Sequence, residues 1–220
     1  MSTLSMNHVT YTYKNAGNPA VSDASFTFEP GKLYAVVGPS GSGKSTLLSM
    51  MAGLDLPTEG EIHYDGNNLR EMDLDRYRRE DISMIFQAFQ LFPLLTVMEN
   101  VCYPMELSGV APSDAKERAA QYLAKVGITE EQMKRFPANL SGGEQQRVAI
   151  ARSLASGART FLADEPTGNL DVANTENIMD LLCGLAHADG YCVIVVTHDQ
   201  EVAQMADVRL EMRGGVLRDG

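Results

Sequence analysis

A segment rich in glycine and serine has the composition and spacing of a phosphate-binding loop. Residues 38–45 read GPSGSGKS and match the pattern G-x-x-x-x-G-K-[ST], between a short apolar run and a helix-like segment. Glycines let successive backbone N–H groups point into one concavity, and the positive end of a following helix attracts phosphate oxygens. Lys44 is then expected to reach the outer phosphates of a nucleotide, and the Ser45 hydroxyl to ligate Mg²⁺. The alternative is a glycine-rich turn with an incidental lysine. The candidate nucleotide-binding residues here are Gly38, Ser40, Gly41, Ser42, Gly43, Lys44, Ser45 and Thr46.

Two carboxylates stand at the end of another apolar run. Residues 160–165 read TFLADE, so the pair follows a strand-like segment. Chemistry at a phosphate loop needs an aspartate for Mg²⁺, which is the role we assign to Asp164. Glu165 is then placed to act as the general base toward water. Pro166 disfavours helical backbone at Glu165 and so limits where that side chain points.

His198 also follows an apolar run, at residues 192–196. Open α/β sheets bind their ligands at the carboxyl ends of their strands, so this position suits a ligand-facing histidine. The alternative is a surface histidine beside a helix that begins after Asp199. The residue types alone leave both open.

The elements that must position these residues are short apolar runs alternating with helix-like segments. Strand-like runs cover residues 4–13, 24–29, 32–37, 60–64, 82–86, 160–163 and 192–196, and helical spacing covers 46–52, 116–126, 144–154 and 173–186. This alternation predicts a mainly parallel sheet that is covered on both faces. The first third of the chain is β-rich, and the block from about residue 96 to 156 is helical. We therefore expect an α/β domain with an inserted helical block.

Composition excludes several classes of protein. The chain has 220 residues, 18 of them basic and 29 acidic, which gives a formal net charge of −11. Hydrophobic residues make up 44%, as in a globular domain, and the acidic balance predicts no nucleic-acid partner. The longest apolar stretches are about five residues, against the roughly 20 needed to cross a bilayer, and no secretory signal is visible. Three scattered cysteines predict neither disulfides nor zinc and are typical of a reducing cytoplasm.

Residues 140–147, LSGGEQQR, resemble the signature motif of ABC ATPases, and the other motifs follow in that family's order along nearly the whole chain. The resemblance implies that residues 1–220 form one ABC-type nucleotide-binding domain of the α/β P-loop NTPase fold. Such a domain has a mixed sheet, an N-terminal antiparallel β-subdomain and an inserted α-helical subdomain, here at about residues 88–158. ATP and Mg²⁺ are the ligands that the resemblance implies.

The resemblance also assigns individual residues. Residues 38–45 correspond to the Walker A loop, Asp164 to the Walker B aspartate and Glu165 to the catalytic glutamate. His198 corresponds to the switch histidine. Gln87 corresponds to the Q-loop glutamine, which takes part in catalysis and binds the metal ion, and Lys44 corresponds to the catalytic lysine. Residues 168–171, GNLD, correspond to the D-loop and assign Asp171 to nucleotide binding. Tyr13 corresponds to the aromatic residue that stacks on adenine, although Tyr11 lies on the same face of a strand.

The signature segment has a local explanation as well. Ser141 and Glu144 have the spacing of a capping box, in which each side chain satisfies a backbone N–H at the start of a helix. Gly142 and Gly143 lower helix propensity by about 1 kcal/mol each, so a cap alone does not explain them. A phosphate that approaches the bare backbone at the positive end of a helix does. Together with the family resemblance, this assigns Ser141, Gly142, Gly143 and Glu144 to nucleotide binding; a capping box alone is the alternative.

In the family, the signature motif faces the nucleotide of a second domain. Since this chain has one Walker A loop and one signature motif, the resemblance implies that two copies close around two ATP molecules. Hydrolysis would then let the two copies separate.

Residues 86–101 and 162–171 resemble one branch of the family. The branch contains the ATPases of macrolide exporters, lipoprotein-release systems, antimicrobial-peptide resistance transporters and the cell-division ATPase. It implies a mechanotransmission-type permease with a large extracytoplasmic domain as partner, and a cytoplasmic chain held peripherally on the inner face of the membrane. The loop at residues 89–95 would receive the permease's coupling helix; the alternative is core packing of the helical subdomain.

Three other functions remain as alternatives. An ATPase of the cell-division type would regulate a membrane complex without moving cargo. An ABC ATPase of DNA repair or translation would need long coiled coils or a second cassette, for which 220 residues leave no room. A regulatory subunit that binds ATP without turning it over would be expected to have lost some of Lys44, Ser45, Asp164, Glu165 and His198, all of which are present.

Overall fold

The computed structural model describes residues 3–220, which form two sheets and eight α-helices. The strands are β1 Leu4–Tyr11, β2 Val21–Phe28, β3 Leu33–Val37, β4 Glu59–Tyr64, β5 Asn67–Asn68, β6 Ile82–Phe86, β7 Thr160–Asp164, β8 Cys192–Thr197, β9 Val208–Arg213 and β10 Val216–Asp219. The helices are α1 Lys44–Met51, α2 Leu74–Glu80, α3 Val97–Leu107, α4 Pro112–Lys125, α5 Glu130–Met133, α6 Gly142–Ala155, α7 Val172–Asp189 and α8 Gln200–Gln204.

The central sheet has six strands in the order β10-β9-β3-β8-β7-β6. All its neighbouring strands are parallel except the last pair, β9 and β10, which are antiparallel. Side chains of β7 and β8 are buried on both faces, which is why these strands read as continuous apolar runs. The expected sheet, covered on both faces, is confirmed.

Different layers cover the two faces. Successive residues along β7, such as Phe161 and Leu162, point to opposite faces and belong to separate hydrophobic clusters. One cluster joins the sheet to α3, α4, α6 and α7. The other joins it to α1, α2 and a second, antiparallel sheet of order β2-β1-β4-β5. This mixed α/β architecture, with an N-terminal antiparallel sheet and helices inserted between β6 and β7, confirms the expected fold class.

Some bounds differ from the sequence-based expectation. The first strand ends at Tyr11, so Tyr13 lies in the loop after it. The hairpin of β9 and β10 and the helix α2 were not expected from the sequence. The inserted helices α3 to α6 begin at 97 and end at 155, within the proposed subdomain at 88–158, whose limits stay a prediction. Within residues 3–220, no helix combines the length and the apolar character needed to cross a membrane.

Candidate functional site

The candidate residues meet because four parallel strands end at the same edge of the central sheet. The β3–β8 pairing places Val37 opposite Thr197, so Gly38 and His198 begin adjacent loops. The β6–β7 pairing places Phe86 opposite Asp164, so Gln87 follows directly beside that carboxylate. This is the edge at which open α/β sheets bind ligands.

The loop at residues 38–45 turns tightly against the rest of the fold. A Cβ at Gly38 would lie 2.1 Å from the carbonyl oxygen of Met212, and one at Gly43 would lie 2.3 Å from that of Ala20. Gly43 also has φ of 105°, and α1 begins at the next residue. The Lys44 ammonium is buried and donates to the carbonyl oxygens of Gly38 at 2.7 Å and Pro39 at 3.1 Å. The ammonium is therefore held inside the curve of the loop.

A cavity of about 450 Å³ opens above this loop. Its lining contains half of the predicted nucleotide-binding residues, the candidate base, and Ala20, which no sequence pattern indicated: Tyr13, Ala20, Ser40, Gly41, Gly43, Lys44, Ser45, Thr46 and Glu165. Gly38 and Ser42 are buried beneath the loop surface. The phosphate loop, the tyrosine and the candidate base thus share one cavity.

Tyr13 and Tyr11 have different environments. The Tyr13 ring is 49% exposed, and its hydroxyl lies 2.9 Å from Thr46 Oγ1 in α1. Tyr11 is more buried, its ring meets the Tyr13 ring edge-on at 4.9 Å, and its hydroxyl donates to Asp55. Only Tyr13 therefore offers an open aromatic surface at the mouth of the cavity.

Asp164 and Ser45 form the part of the site with the chemistry of a magnesium centre. Burial raises the pKa of Asp164, the negative charge of Glu165 raises it further, and Lys44 and a hydrogen bond from Ser45 oppose both. The Ser45 hydroxyl, the Asp164 carboxylate and the Gln87 side-chain oxygen are the hard ligands that Mg²⁺ prefers. The residues present therefore fit that ion.

Glu165 and His198 contact each other across the ends of β7 and β8. His198 Nδ1 lies 3.0 Å from Glu165 Oε2, and the Glu165 side chain is 21% exposed. Glu165 has φ of 46° and its N–H donates to the carbonyl oxygen of Val196, so its backbone is held in a conformation that few non-glycine residues adopt. The alternative for His198 was a surface histidine beside a helix that begins after Asp199, and Asp199 does cap α8. The imidazole nevertheless contacts the carboxylate of Glu165.

The signature segment forms the predicted capping box at the start of α6. Ser141 N–H donates to Glu144 Oε2 at 2.6 Å, and Glu144 N–H donates to Ser141 Oγ at 3.3 Å. The bond from Ser141 lowers the pKa of Glu144. A Cβ at Gly143 would lie 2.2 Å from Asn174 Oδ1, so packing against α7 is a second reason for a glycine that the sequence had linked to phosphate alone.

These segments lie outside the cavity of their own chain. None of residues 141–144 lines it, and neither does Asp171, which caps α7 by accepting from Asn174 N–H at 2.8 Å. Gln87 is half-buried and hydrogen-bonded to Asn169, a residue of the D-loop segment to which the sequence assigned no role. The fold and the site together define a nucleotide-binding protein with a phosphate loop, an acidic strand end and a separate glycine-rich helix start.

Comparison with known proteins identifies the family. The ABC transporter family matches residues 21–168. An uncharacterized ABC transporter ATP-binding protein of Bacillus subtilis (strain 168), YclH, is 41% identical over 98% of this chain and 95% of its own length. The lipoprotein-releasing system ATP-binding protein LolD of Idiomarina loihiensis is 38% identical over 94% of this chain and 92% of its own length. The macrolide export ATP-binding/permease protein MacB of Hyphomonas neptunium is 44% identical over 90% of this chain and 31% of its own length.

Solved structures agree with this assignment. The dimeric structure of MJ0796, a bacterial ABC transporter cassette, superposes with a TM-score of 0.87 at 39% identity, covering 97% of this chain and 96% of that one. A post-hydrolysis state of the same cassette, bound to ADP and Pi, has the same TM-score at 37% identity and covers 98% of both chains. The chain belongs to the ABC transporter family and is an ATPase of that family.

Proposed function

We propose that two copies of this chain close around two ATP molecules and that hydrolysis drives a separate membrane permease. The observation that carries the dimer is the position of the first turn of α6, which lies outside its own chain's cavity with Ser141 exposed. The first N–H groups of a helix have no intrahelical partner, so this turn can bind a phosphate held by another copy. The dimeric structure of MJ0796 supports the same arrangement here.

Each nucleotide would lie in the cavity above the phosphate loop. Lys44 would exchange its bonds to the Gly38 and Pro39 carbonyls for phosphate oxygens, and Tyr13 would stack on the adenine. Ser45, Asp164 and Gln87 would hold Mg²⁺, which when bound neutralises phosphate charge. The signature residues 141–144 and Asp171 of the other copy would complete the site.

Glu165 is the proposed general base. Its carboxylate would accept a proton from the attacking water, and His198, at 3.0 Å, would hold the carboxylate in place. The fixed backbone of Glu165 limits where the carboxylate points, which favours one direction of attack.

Replacing Glu165 by glutamine tests the base directly. The amide keeps the size of the side chain but cannot take the proton, so we expect phosphate release to fall at least about 100-fold. ATP should still produce a dimer, seen by light scattering. The control is Glu117→Gln, which removes the same charge from an exposed position of α4. A Glu165→Gln variant that hydrolyses ATP at the wild-type rate would show that the base is another group.

The permease would dock on exposed apolar side chains of the helical insert. Phe92, in the loop after β6, and Tyr103, on α3, form an apolar patch. Leu94 in the same loop, which is 87% exposed, and Leu107 on α3 are further exposed apolar side chains of the same two segments. The Phe92 and Tyr103 rings lie 4.8 Å apart. Beside them a mainly apolar cavity of about 830 Å³ lies between α3, α4 and α5. Apolar surfaces of this kind commonly mark protein contacts.

We assign to this patch the coupling helix of a mechanotransmission-type permease with a large extracytoplasmic domain. The chain would then sit in the cytoplasm, peripheral to the inner face of the cell membrane. Similarity to MacB and LolD over most of the chain supports this branch.

The docking proposal is tested by co-expression with the membrane protein encoded beside this chain. Leu94→Asp should release the chain from the membrane fraction while the ATPase rate of the isolated chain stays unchanged. Leu54→Asp, at a 54% exposed position after α1, is the matched control and should stay bound. Retention of the Leu94→Asp variant at wild-type level, or a neighbouring gene without membrane spans, would count against the proposal.

A further inference from the structure

Two amide side chains join the loops that follow β6 and β7. Gln87 Nε2 donates to Asn169 Oδ1 at 3.3 Å, and Asn169 Nδ2 donates to the main-chain carbonyl oxygen of Gln87 at 3.0 Å. The two residues are 82 positions apart in the chain. The pair therefore connects the Q-loop and D-loop segments within one copy.

The main-chain carbonyl decides the orientation of both amides. A carbonyl oxygen only accepts hydrogen bonds, so the Asn169 atom that faces it must be the NH₂ nitrogen. Asn169 Oδ1 then faces the Gln87 side chain and needs a donor, which only Nε2 can be. As a result, Gln87 Oε1 is at the free end of its amide, and this is the atom that can ligate a cation.

The neighbouring glycine leaves room for this arrangement. A Cβ at Gly168 would lie 2.7 Å from Gln87 Nε2 and 3.4 Å from Glu165 Oε2. A side chain at residue 168 would therefore push the Gln87 amide out of its position. Gln87 directly follows Phe86, which pairs with Asp164 in the sheet. Gln87 and the metal-binding carboxylate therefore lie at neighbouring strand ends.

We propose that Asn169 is a positioning residue that sets the rotation of the Gln87 amide, so that oxygen and not nitrogen is presented to the divalent cation bound with ATP. The proposal rests on the metal-binding role of Gln87 proposed above. Without Asn169, the amide would rotate between two orientations, one of which presents NH₂, a group with no lone pair for a cation. Partners of this kind, which orient a metal ligand, commonly change metal affinity when they are removed.

The test measures metal affinity, not hydrolysis. Mn²⁺ is titrated by electron paramagnetic resonance into the full chain with a non-hydrolysable ATP analogue. We expect Asn169→Ala to weaken Mn²⁺ binding about tenfold, while the affinity for the analogue measured in EDTA stays at the wild-type value. Asn67→Ala is the matched control, because Asn67 is exposed at the start of β5 and its amide makes two long bonds to nearby carbonyls.

A double-substitution cycle separates the two levels of the proposal. Gln87→Ala should also weaken Mn²⁺ binding, and adding Asn169→Ala to it should have no further effect. If Gln87→Ala weakens binding and Asn169→Ala does not, the positioning role is wrong and the metal role of Gln87 stands. If Gln87→Ala itself leaves the affinity unchanged, the proposed metal role is wrong and the role of Asn169 falls with it. Additive effects would mean that Asn169 acts other than through Gln87.

Discussion

Replacing Gly143 by alanine distinguishes the two explanations for this glycine, which are packing against Asn174 of α7 and access of a phosphate to the first turn of α6. In the free chain, an alanine Cβ would lie 2.2 Å from Asn174 Oδ1 and 2.6 Å from its Cγ, so the Asn174 side chain must rotate away. That rotation breaks the bond from Asn174 Nδ2 to Asp171 Oδ1, which is 2.9 Å long. A bond to an exposed charged group contributes about 1 to 2 kcal/mol. Alanine offsets this by up to about 1 kcal/mol through its helix propensity.

The net loss in the free energy of unfolding is therefore no more than about 2 kcal/mol, and each kcal/mol shifts Tm by roughly 2–4 °C for a chain of this size. Activity should respond differently. If the first turn of α6 binds the phosphates of the other copy, the methyl narrows their approach to the N–H groups, because Cα–Cβ bonds tilt toward the N-terminus of a helix. We expect the ATPase rate of Gly143→Ala to fall at least about tenfold, or ~1.4 kcal/mol in activation free energy.

The assay compares Gly143→Ala, Asn174→Ala and the double variant by thermal unfolding and by phosphate release under conditions that permit dimers. The double variant should be no less stable than either single variant with the same lost bond, because the bond from Asn174 to Asp171 is lost only once and the clashing side chain is gone, but it should remain slow in hydrolysis. A double variant with the wild-type rate would refute the phosphate assignment, and Gly143 would then be a packing residue only.

Three further predictions concern stability and reactivity. The folded-state pKa of Asp164 is raised, so ionisation of this carboxyl lowers the stability of the fold as pH rises through that pKa. Asp164→Asn should therefore raise Tm at neutral pH, by a margin that disappears in mild acid. An unchanged or lower Tm at neutral pH would contradict this. Asn100 is fully buried, and its side chain makes hydrogen bonds to four backbone groups of the loop from Phe92 to Thr96. Asn100→Leu should therefore lower the free energy of unfolding, measured in urea, by about 3 kcal/mol. A loss below about 1 kcal/mol would show that other contacts hold the loop. Burial raises the pKa of Cys192 to about 12, so this thiol should be alkylated more slowly in the native chain than the half-buried Cys183. Equal alkylation rates of the two thiols, followed by mass spectrometry, would contradict the burial of Cys192.

Local patterns predicted the strands that carry the site. The bounds of β6 at Ile82–Phe86 agree with the predicted run, and those of β7 and β8 differ by one residue at one end. These strands are buried on both faces, so burial leaves a continuous apolar signal in the sequence. The hairpin of β9 and β10 at the sheet edge lacks that signal, because exposed charged residues such as Arg213 interrupt it. Edge strands are therefore harder to recognise than central ones.

The residue types and spacing alone determined the phosphate loop, the acidic strand end and the capping box, because each depends on backbone and side chains within about one turn of the chain. Only the tertiary structure decided which strand ends are neighbours, and hence that His198 contacts Glu165 and that Asn169 contacts Gln87. It also showed that Gly143 packs against Asn174. Such contacts depend on the order of strands in the sheet and on the packing of α6 against α7, and short-range spacing carries no information about either.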